Sequence, residues 1–153
     1  MKKRTLILEQ TEKSLGRFAG MENTEPPMKG WIRAIRDALG MSARQLANRM
    51  GVAQQAVSRI ERDELSGSVT IKTMRKAAEA LDCAFVYGFV PRRSLKESLQ
   101  SQAELYAKYQ LTQVSQTMLL EAQELSSEEN QSMLDNMVSE ITSNPPANLW
   151  DVQ

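Results

Sequence analysis

Apolar residues recur at helical spacing in a series of short runs between residues 31 and 81. The first run predicts a helix whose apolar positions share one face: Trp31, Ile32, Ile35, Ala38 and Leu39. Gly40 is suited to end this helix, and Ser42 supplies an N-cap for a second helix over 43–50. The core face of the second helix is predicted to carry Leu46, Ala47 and Met50.

Gly51 marks a tight turn before two further helices. The third is predicted over 54–62 and is followed by a loop with the sequence DELSG. The fourth is capped by Thr70 and runs over 71–81. The predicted inward residues are Val57 and Ile60 in the third helix and Ile71, Met74, Ala78 and Leu81 in the fourth. We therefore predict short helices packed around one core.

The run CAFVYGFV (83–90) has a different pattern. It is rich in aromatic and β-branched side chains, and Pro91 ends it, which predicts a short strand. Because one strand cannot stand alone, we expect it to pair with the TLIL segment near the N-terminus or with its own copy in a second chain.

Helical patterns flank this middle region on both sides. An amphipathic helix is predicted over 3–19, and 20–29 is predicted to be a linker. A long helical pattern follows Ser94, and Ser126-Ser127-Glu128-Glu129 is typical of a capping box for a further helix. The predicted organisation is an N-terminal helix and linker (1–28), a helical domain (29–82), a strand and connector (83–93), and a helical arm for dimerisation or partner binding (94–153).

Charges are separated along the chain although the net charge is zero. Residues 29–76 carry ten basic and four acidic side chains, whereas 94–153 carry two basic and nine acidic ones. This asymmetry indicates a polyanion-binding domain joined to a segment with another task, and two unlike solvated faces are the plainer alternative.

The composition argues against catalysis and against a membrane protein. There is no histidine, Gly-rich phosphate loop, nucleophile motif or metal-spaced cysteine cluster, so we predict no enzyme activity, no cofactor and no metal site. The single cysteine, Cys83, is expected to be a buried, reduced thiol. The apolar run after Arg4 is too short for a signal peptide, and no run could span a bilayer, so we expect a cytoplasmic protein.

The second and third predicted helices form a helix-turn-helix around Gly51. When Val57 and Ile60 face the core, four polar side chains at the start of the third helix face outward: Gln54, Gln55, Ser58 and Arg59. In this motif that end of the helix enters the major groove of DNA. A glutamine amide can bind adenine and an arginine can bind guanine, so these four are the predicted base-reading residues. Ordinary surface polarity is the plainer alternative.

A second set of side chains is predicted to contact DNA phosphates. Ser42 and Thr70 precede helices, where free amides and the helix dipole favour an anion. With their neighbours and one residue of the third helix they complete the predicted phosphate set: Ser42, Arg44, Arg62, Thr70, Lys72 and Thr73.

The stretch SARQLANRMGVAQQAVSRIE resembles the helix-turn-helix of the Cro/C1-type (Xre) repressors. The resemblance covers about 31–82 and rests on these matching residues: Leu46, Ala47, Gly51, Val52, Val57, Ile60 and Glu61. It implies a lambda-repressor-like all-α bundle, with Gln54, Gln55 and Arg59 at base-reading positions and Ser42 at a phosphate. Ala43 departs from the pattern, because the family usually has a bracing glutamine there.

The wider chain is similar to the bacterial "mobile mystery protein A" family. The similarity rests on GWIRAIRDALGMSARQLANRMG, CAFVYGFVPRRSL and TMLLEAQ. Members are encoded beside a Fic-domain protein, so this resemblance implies an antitoxin-like role and a Fic-domain partner.

These observations predict an all-α helix-turn-helix protein with one short strand and a helical C-terminal arm. We expect a sequence-specific transcriptional repressor of its own operon, acting as a homodimer on a two-fold double-stranded DNA operator. The alternative is a protein-interaction module that neutralises a partner through its acidic C-terminal helices.

Overall fold

Helices account for most of the chain in the computed structural model, which describes residues 2–118 and 127–153. They are α1 (Lys2–Leu15), α2 (Trp31–Ala38), α3 (Ala43–Met50), α4 (Gln54–Ser66), α5 (Ile71–Ala80), α6 (Leu95–Met118) and α7 (Ser127–Ser143). Short 3-10 turns lie at Gly16–Phe18, Met21–Asn23 and Leu149–Asp151. The chain divides into a middle unit, Gly20–Gly88, and a second unit that combines Met1–Ala19 with Phe89–Gln153.

The core of the middle unit is built from one or two residues of each of its helices. Its buried members are Ile32, Leu46, Ala47, Val57, Ala77, Ala80 and Leu81, and Ile35, Met50, Ile60 and Met74 pack at its margin. The predicted inward faces of α3 and α4 are therefore confirmed. Leu46 and Val57 are almost completely buried, and Val52 of the turn between these two helices packs at the margin of the core.

Four residues that the sequence placed in this core lie at its edge instead, and the exposed Ala38, the last residue of α2, is one of them. Trp31, Leu39 and Ile71 are 45%, 59% and 43% exposed. Trp31 and Ile71 are the first residues of their helices and Leu39 follows the last residue of α2, so each lacks an adjoining helical turn on one side. Helical spacing gives the direction of a side chain but not whether a neighbour reaches it.

The loop predicted after residue 62 is wrong, because α4 continues to Ser66. Two acidic side chains on this helix bind α2. Glu61 forms a bidentate ion pair with Arg36, with N–O distances of 2.7 and 3.3 Å. The Glu64 carboxylate accepts hydrogen bonds from the backbone amides of Trp31 and Ile32 at 2.7 and 3.1 Å. These contacts with α2 stabilise helical backbone in the DELSG stretch, whose Asp and Ser residues by themselves favour a turn.

The predicted strand over 83–90 is also wrong. The structure shows no strand at these residues or anywhere else in 2–118 and 127–153. The TLIL segment that was expected to pair with it lies within α1. Strand propensity expresses fit to a paired, half-buried surface, and the described chain offers this segment no such surface. Val86, Tyr87 and Phe89 are 68%, 55% and 78% exposed.

Cys83 is exposed, which corrects the prediction of a buried thiol. It follows Asp82, a non-glycine residue with φ of 55°, directly after the last turn of α5. The apolar run around Cys83 suggested burial, but Leu81 is the last buried residue of this core and the chain leaves the core after it.

The second unit packs α6 against α7 and the C-terminal turn. Its buried core consists of Ala103, Tyr106, Ala107, Ile141 and Leu149. Gln102 donates from Nε2 to the carbonyls of Leu149 and Val152 at 2.9 and 2.8 Å, which fixes the C-terminal turn on α6. The predicted Ser94 cap is confirmed by its hydrogen bond from the amide of Glu97. The predicted capping box begins at Ser126, outside the described residues.

Candidate nucleic-acid interface

The turn between α3 and α4 sets the direction of the second helix. Gly51 ends α3 in the left-handed conformation, with φ of 68°, which glycine adopts without steric cost. The amide of Val52 then donates to the carbonyl of Ala47 at 3.0 Å. Three residues separate the end of α3 at Met50 from the start of α4 at Gln54.

The first turns of α4 present the four predicted base-reading residues to solvent. Gln54, Gln55, Ser58 and Arg59 are all exposed, while Val57 on the opposite face is 1% exposed. The helix thus has one face fixed in the core and one polar face available. Its N-cap residue, Ala53, has no side-chain acceptor for the first amides of the helix. Donors remain at this end for an external acceptor.

The helices before and after α4, which are α3 and α5, have side-chain N-caps, unlike α4. Ser42 forms a capping box with Gln45, through hydrogen bonds of 3.2 and 2.8 Å. Thr70 accepts from the amide of Thr73 at 3.1 Å, and the hydroxyls of these two threonines lie 2.9 Å apart. The Ser42 hydroxyl accepts one bond and keeps its own proton for a further acceptor. Ser42 and Thr70 are exposed and Thr73 is half-buried.

The predicted phosphate-binding cations are exposed and unpaired. Arg44, Arg62 and Lys72 are exposed, as is Arg59. Within the described part of the chain, none of these four lies within 4.0 Å of a carboxylate oxygen. Arginine and lysine without an internal partner are the side chains that phosphates recruit.

Other basic residues of the middle unit hold the fold together. Arg36 is largely buried, and its hydrogen bond with Glu61 raises its pKa above the usual arginine value. It also donates to the carbonyl of Met41 at 2.9 Å. Arg49 donates from Nε to the carbonyl of Ala80 at 2.6 Å, which ties α3 to the end of α5. The positive charge of 29–76 therefore divides between structural and exposed residues.

Ser58 and Arg62 lie together beside a shallow cleft of about 350 Å³. Lys29 and Arg33 line the same cleft, and each lies 3.9 Å from Asp37. The structure thus groups one predicted base-reading residue and one predicted phosphate contact with two further basic side chains.

Sequence reasoning missed the role of Glu64. Gly30 has φ of 80°, and a Cβ there would lie 2.8 Å from the Glu64 Oε2 atom, so the carboxylate approaches the start of α2 closely. The available signal was the spacing of Glu61 and Glu64 at i and i+3, which places both carboxylates on one side of α4.

A comparison with known families decides the class of this region. Residues 32–87 match the helix-turn-helix family model. The match supports a DNA-binding regulator of the Cro/C1 helix-turn-helix type, a regulatory rather than an enzymatic family. No curated protein and no solved structure gives a significant match to the chain. The resemblance to the "mobile mystery protein A" family stays a prediction.

The described residues contain neither a membrane-spanning helix nor a cluster of metal ligands. None of their helices is long and apolar enough to cross a membrane. Their His, Cys, Asp and Glu residues form no group of three or more that could hold a metal ion.

Proposed function

We propose that this protein is a sequence-specific transcriptional repressor that binds double-stranded DNA upstream of its own operon. The observation that carries the proposal is the start of α4, where Gln54, Gln55, Ser58 and Arg59 are exposed and the first amides have no side-chain cap. It is accompanied by exposed cations on α3, α4 and α5 that form no ion pair with the described part of the chain.

In the proposed mechanism, α4 reads bases from the major groove. The side-chain amides of Gln54 and Gln55 can each form a bidentate pair with adenine, in which Nε2 donates to N7 and Oε1 accepts from the N6 amino group. Arg59, one turn further on, binds guanine O6 and N7, and Ser58 binds either base type. Val57 and Ile60 face away from DNA and hold the helix at a fixed orientation.

The flanking helices contribute contacts that do not depend on sequence. Ser42 and Arg44 at the start of α3, and Thr70, Lys72 and Thr73 at the start of α5, bind phosphates with Arg62. Arg44 takes over the phosphate contact of the glutamine that the family usually carries at the position of Ala43. Phosphate contacts fix the register of the protein on the duplex, and base contacts then select the sequence.

We further propose that the protein binds its operator as a homodimer. One helix-turn-helix covers too few bases for tight specific binding, and two copies on a two-fold site double the contact. The exposed side chains of Val86, Tyr87 and Phe89 supply apolar surface for this contact, and the helices of 94–153 are a further candidate dimer surface.

A second candidate function is the binding of a partner protein by the acidic C-terminal helices. The resemblance described above suggests a Fic-domain protein. Tyr109, Val114 and Met133 in α6 and α7 are 49%, 49% and 39% exposed and supply apolar surface in a segment with net negative charge.

The proposal is tested by selecting preferred sequences from a random double-stranded DNA pool with the full-length protein. The expected result is an enriched motif with two-fold symmetry, whose half-sites are centred about one helical turn apart or a multiple of it. The same motif should occur upstream of the gene, and footprinting should protect it. A pool that remains random after repeated selection would contradict sequence-specific binding.

A further inference from the structure

We propose that the second unit contains a docking groove for a basic amphipathic helix of a partner protein. The proposal rests on the partner-binding role suggested above and is independent of DNA binding. The groove, hereafter the three-helix groove, lies between α1, α6 and α7 and has a volume of about 750 Å³. Its size and elongated helical walls suit the helix-in-groove mode of recognition.

The floor of the three-helix groove is apolar. Leu8 of α1, Leu99 of α6, and Leu134 and Val138 of α7 line it, and all four are half-buried. These side chains have lost part of their contact with water but still expose apolar surface. An occupant that covers them gains the remaining hydrophobic free energy.

The position of α1 explains why this floor is incompletely covered. None of the described side chains of α1 is buried, and two of the hydrogen bonds that join it to the rest of the unit are long. The Arg4 Nη1 atom donates to the carbonyl of Pro145 at 3.3 Å, and the Lys96 amide donates to Glu12 at 3.5 Å. The sequence predicts partner binding by 94–153 alone, whereas in the structure α1 forms one wall of the groove.

The rim of the groove is acidic. Glu9, Glu12, Glu104 and Asp135 line it, together with Lys96 and Lys108. Within 2–118 and 127–153, no lysine or arginine lies within 4.0 Å of these four carboxylates. A helix with an apolar stripe flanked by lysine or arginine would complement both the floor and the rim.

The charge also selects between possible occupants. A second copy bound through the same face would place acidic rim against acidic rim, because a two-fold contact is self-complementary. DNA would meet the same repulsion. A basic helix from a different protein meets neither cost.

The test uses the full-length protein and an 18-residue helical peptide of leucine and lysine, labelled with fluorescein. A peptide of the same pattern with glutamate in place of lysine is the control. Anisotropy should show saturable binding of the leucine–lysine peptide and none of the leucine–glutamate peptide. Equal binding of the two peptides would overturn the charge argument.

Variants then locate the site. Leu8→Ser and the double change Glu9→Lys with Asp135→Lys should each weaken peptide binding about tenfold, the scale of a few partly exposed contacts. Leu6→Ser on α1 and Glu140→Lys on α7 are the matched controls, since neither residue lines the groove. Equal losses in groove and control variants would overturn the proposed site.

Two further readouts separate this proposal from its alternatives. Circular dichroism checks that each variant keeps its helices, and operator titration should give unchanged affinity for Leu8→Ser, which lies outside the candidate dimer helices of 94–153. If the groove variants instead convert a dimer to monomers in sedimentation, a second copy occupies the groove and the partner-helix proposal is wrong. If the unmodified protein does not bind operator DNA, that result counts against the repressor proposal and leaves the partner-helix proposal unaffected.

Discussion

Gln54 lies at the first position of α4, exposed and beside amides that have no side-chain cap. We expect Gln54→Ala to weaken operator binding by about 1–3 kcal/mol, or about 5- to 150-fold, because a bidentate contact to adenine is lost. The same change should relax the base preference at one position in each half-site. Anisotropy titrations on a panel of single-base operator variants measure both effects.

The outcome that would contradict this role is an equal loss on operator and random DNA. Such a result would mean that Gln54 contributes to phosphate binding or to the fold rather than to base reading.

Arg44 has a different task in the same account. It is exposed at the start of α3 and, among the described residues, has no carboxylate within 4.0 Å. Arg44→Ala should weaken binding to all sequences alike and reduce the magnitude of the salt slope by about 1. Titrations at several salt concentrations give the slope. A loss confined to the operator would instead make Arg44 a base-reading residue.

Single residues also show how far the sequence could go. The turn at Gly51 and the polar face of α4 follow from local rules, so their exposure could be predicted. The exposure of Trp31, Ile71 and Cys83 could not, because it depends on which neighbours reach them. Hydrophobic periodicity contains no information about where a core ends.

At the scale of elements, α2 and α4 are joined by two carboxylates. Glu64→Ala removes the acceptor for the amides of Trp31 and Ile32 and should destabilise the middle unit by about 1–2 kcal/mol, the usual value of a helix cap. Urea unfolding followed by Trp31 fluorescence, in a Trp150→Phe background, measures the change. Trp31 is then the only tryptophan in the chain.

Glu79→Ala is the matched control for this prediction. Glu79 is an exposed glutamate on α5, and in the described structure its side chain makes no hydrogen bond or ion pair. A stability loss of the same size in both variants would show that the cap of α2 contributes nothing specific.

Elements also differ in how well the sequence predicts them. The helices with a capping residue and a strong apolar face, such as α3, appear at their predicted bounds. The extension of α4 through Ser66 depends on contacts of Glu61 and Glu64 with α2, which are distant in sequence. The segment 83–90 has the composition of a strand but no strand partner within the described chain. Its composition alone therefore gave a wrong prediction.

At the scale of the whole molecule, the proposed homodimer depends on the exposed apolar segment 83–90. Val86 is 68% exposed. Val86→Lys should shift the protein from dimer to monomer in analytical ultracentrifugation, because a charge would be buried without a partner at the contact. Operator affinity should fall with it, while binding to a single half-site should remain.

Leu39→Lys provides the control for this change. Leu39 is 59% exposed and lies after α2, away from 83–90 in sequence. A dimer that survives Val86→Lys unchanged would move the interface to another surface, and a monomeric unmodified protein would contradict the homodimer.

The central claim is that this helix-turn-helix protein recognises its own upstream DNA. The most direct measurement is an anisotropy titration of the full-length protein with a labelled upstream fragment and a scrambled fragment, each at two salt concentrations. The account predicts a preference of about a thousandfold or more for the upstream fragment. It also predicts a salt slope of about −5 if six side chains bind phosphates. Equal, weak and steeply salt-dependent binding to both fragments would contradict it.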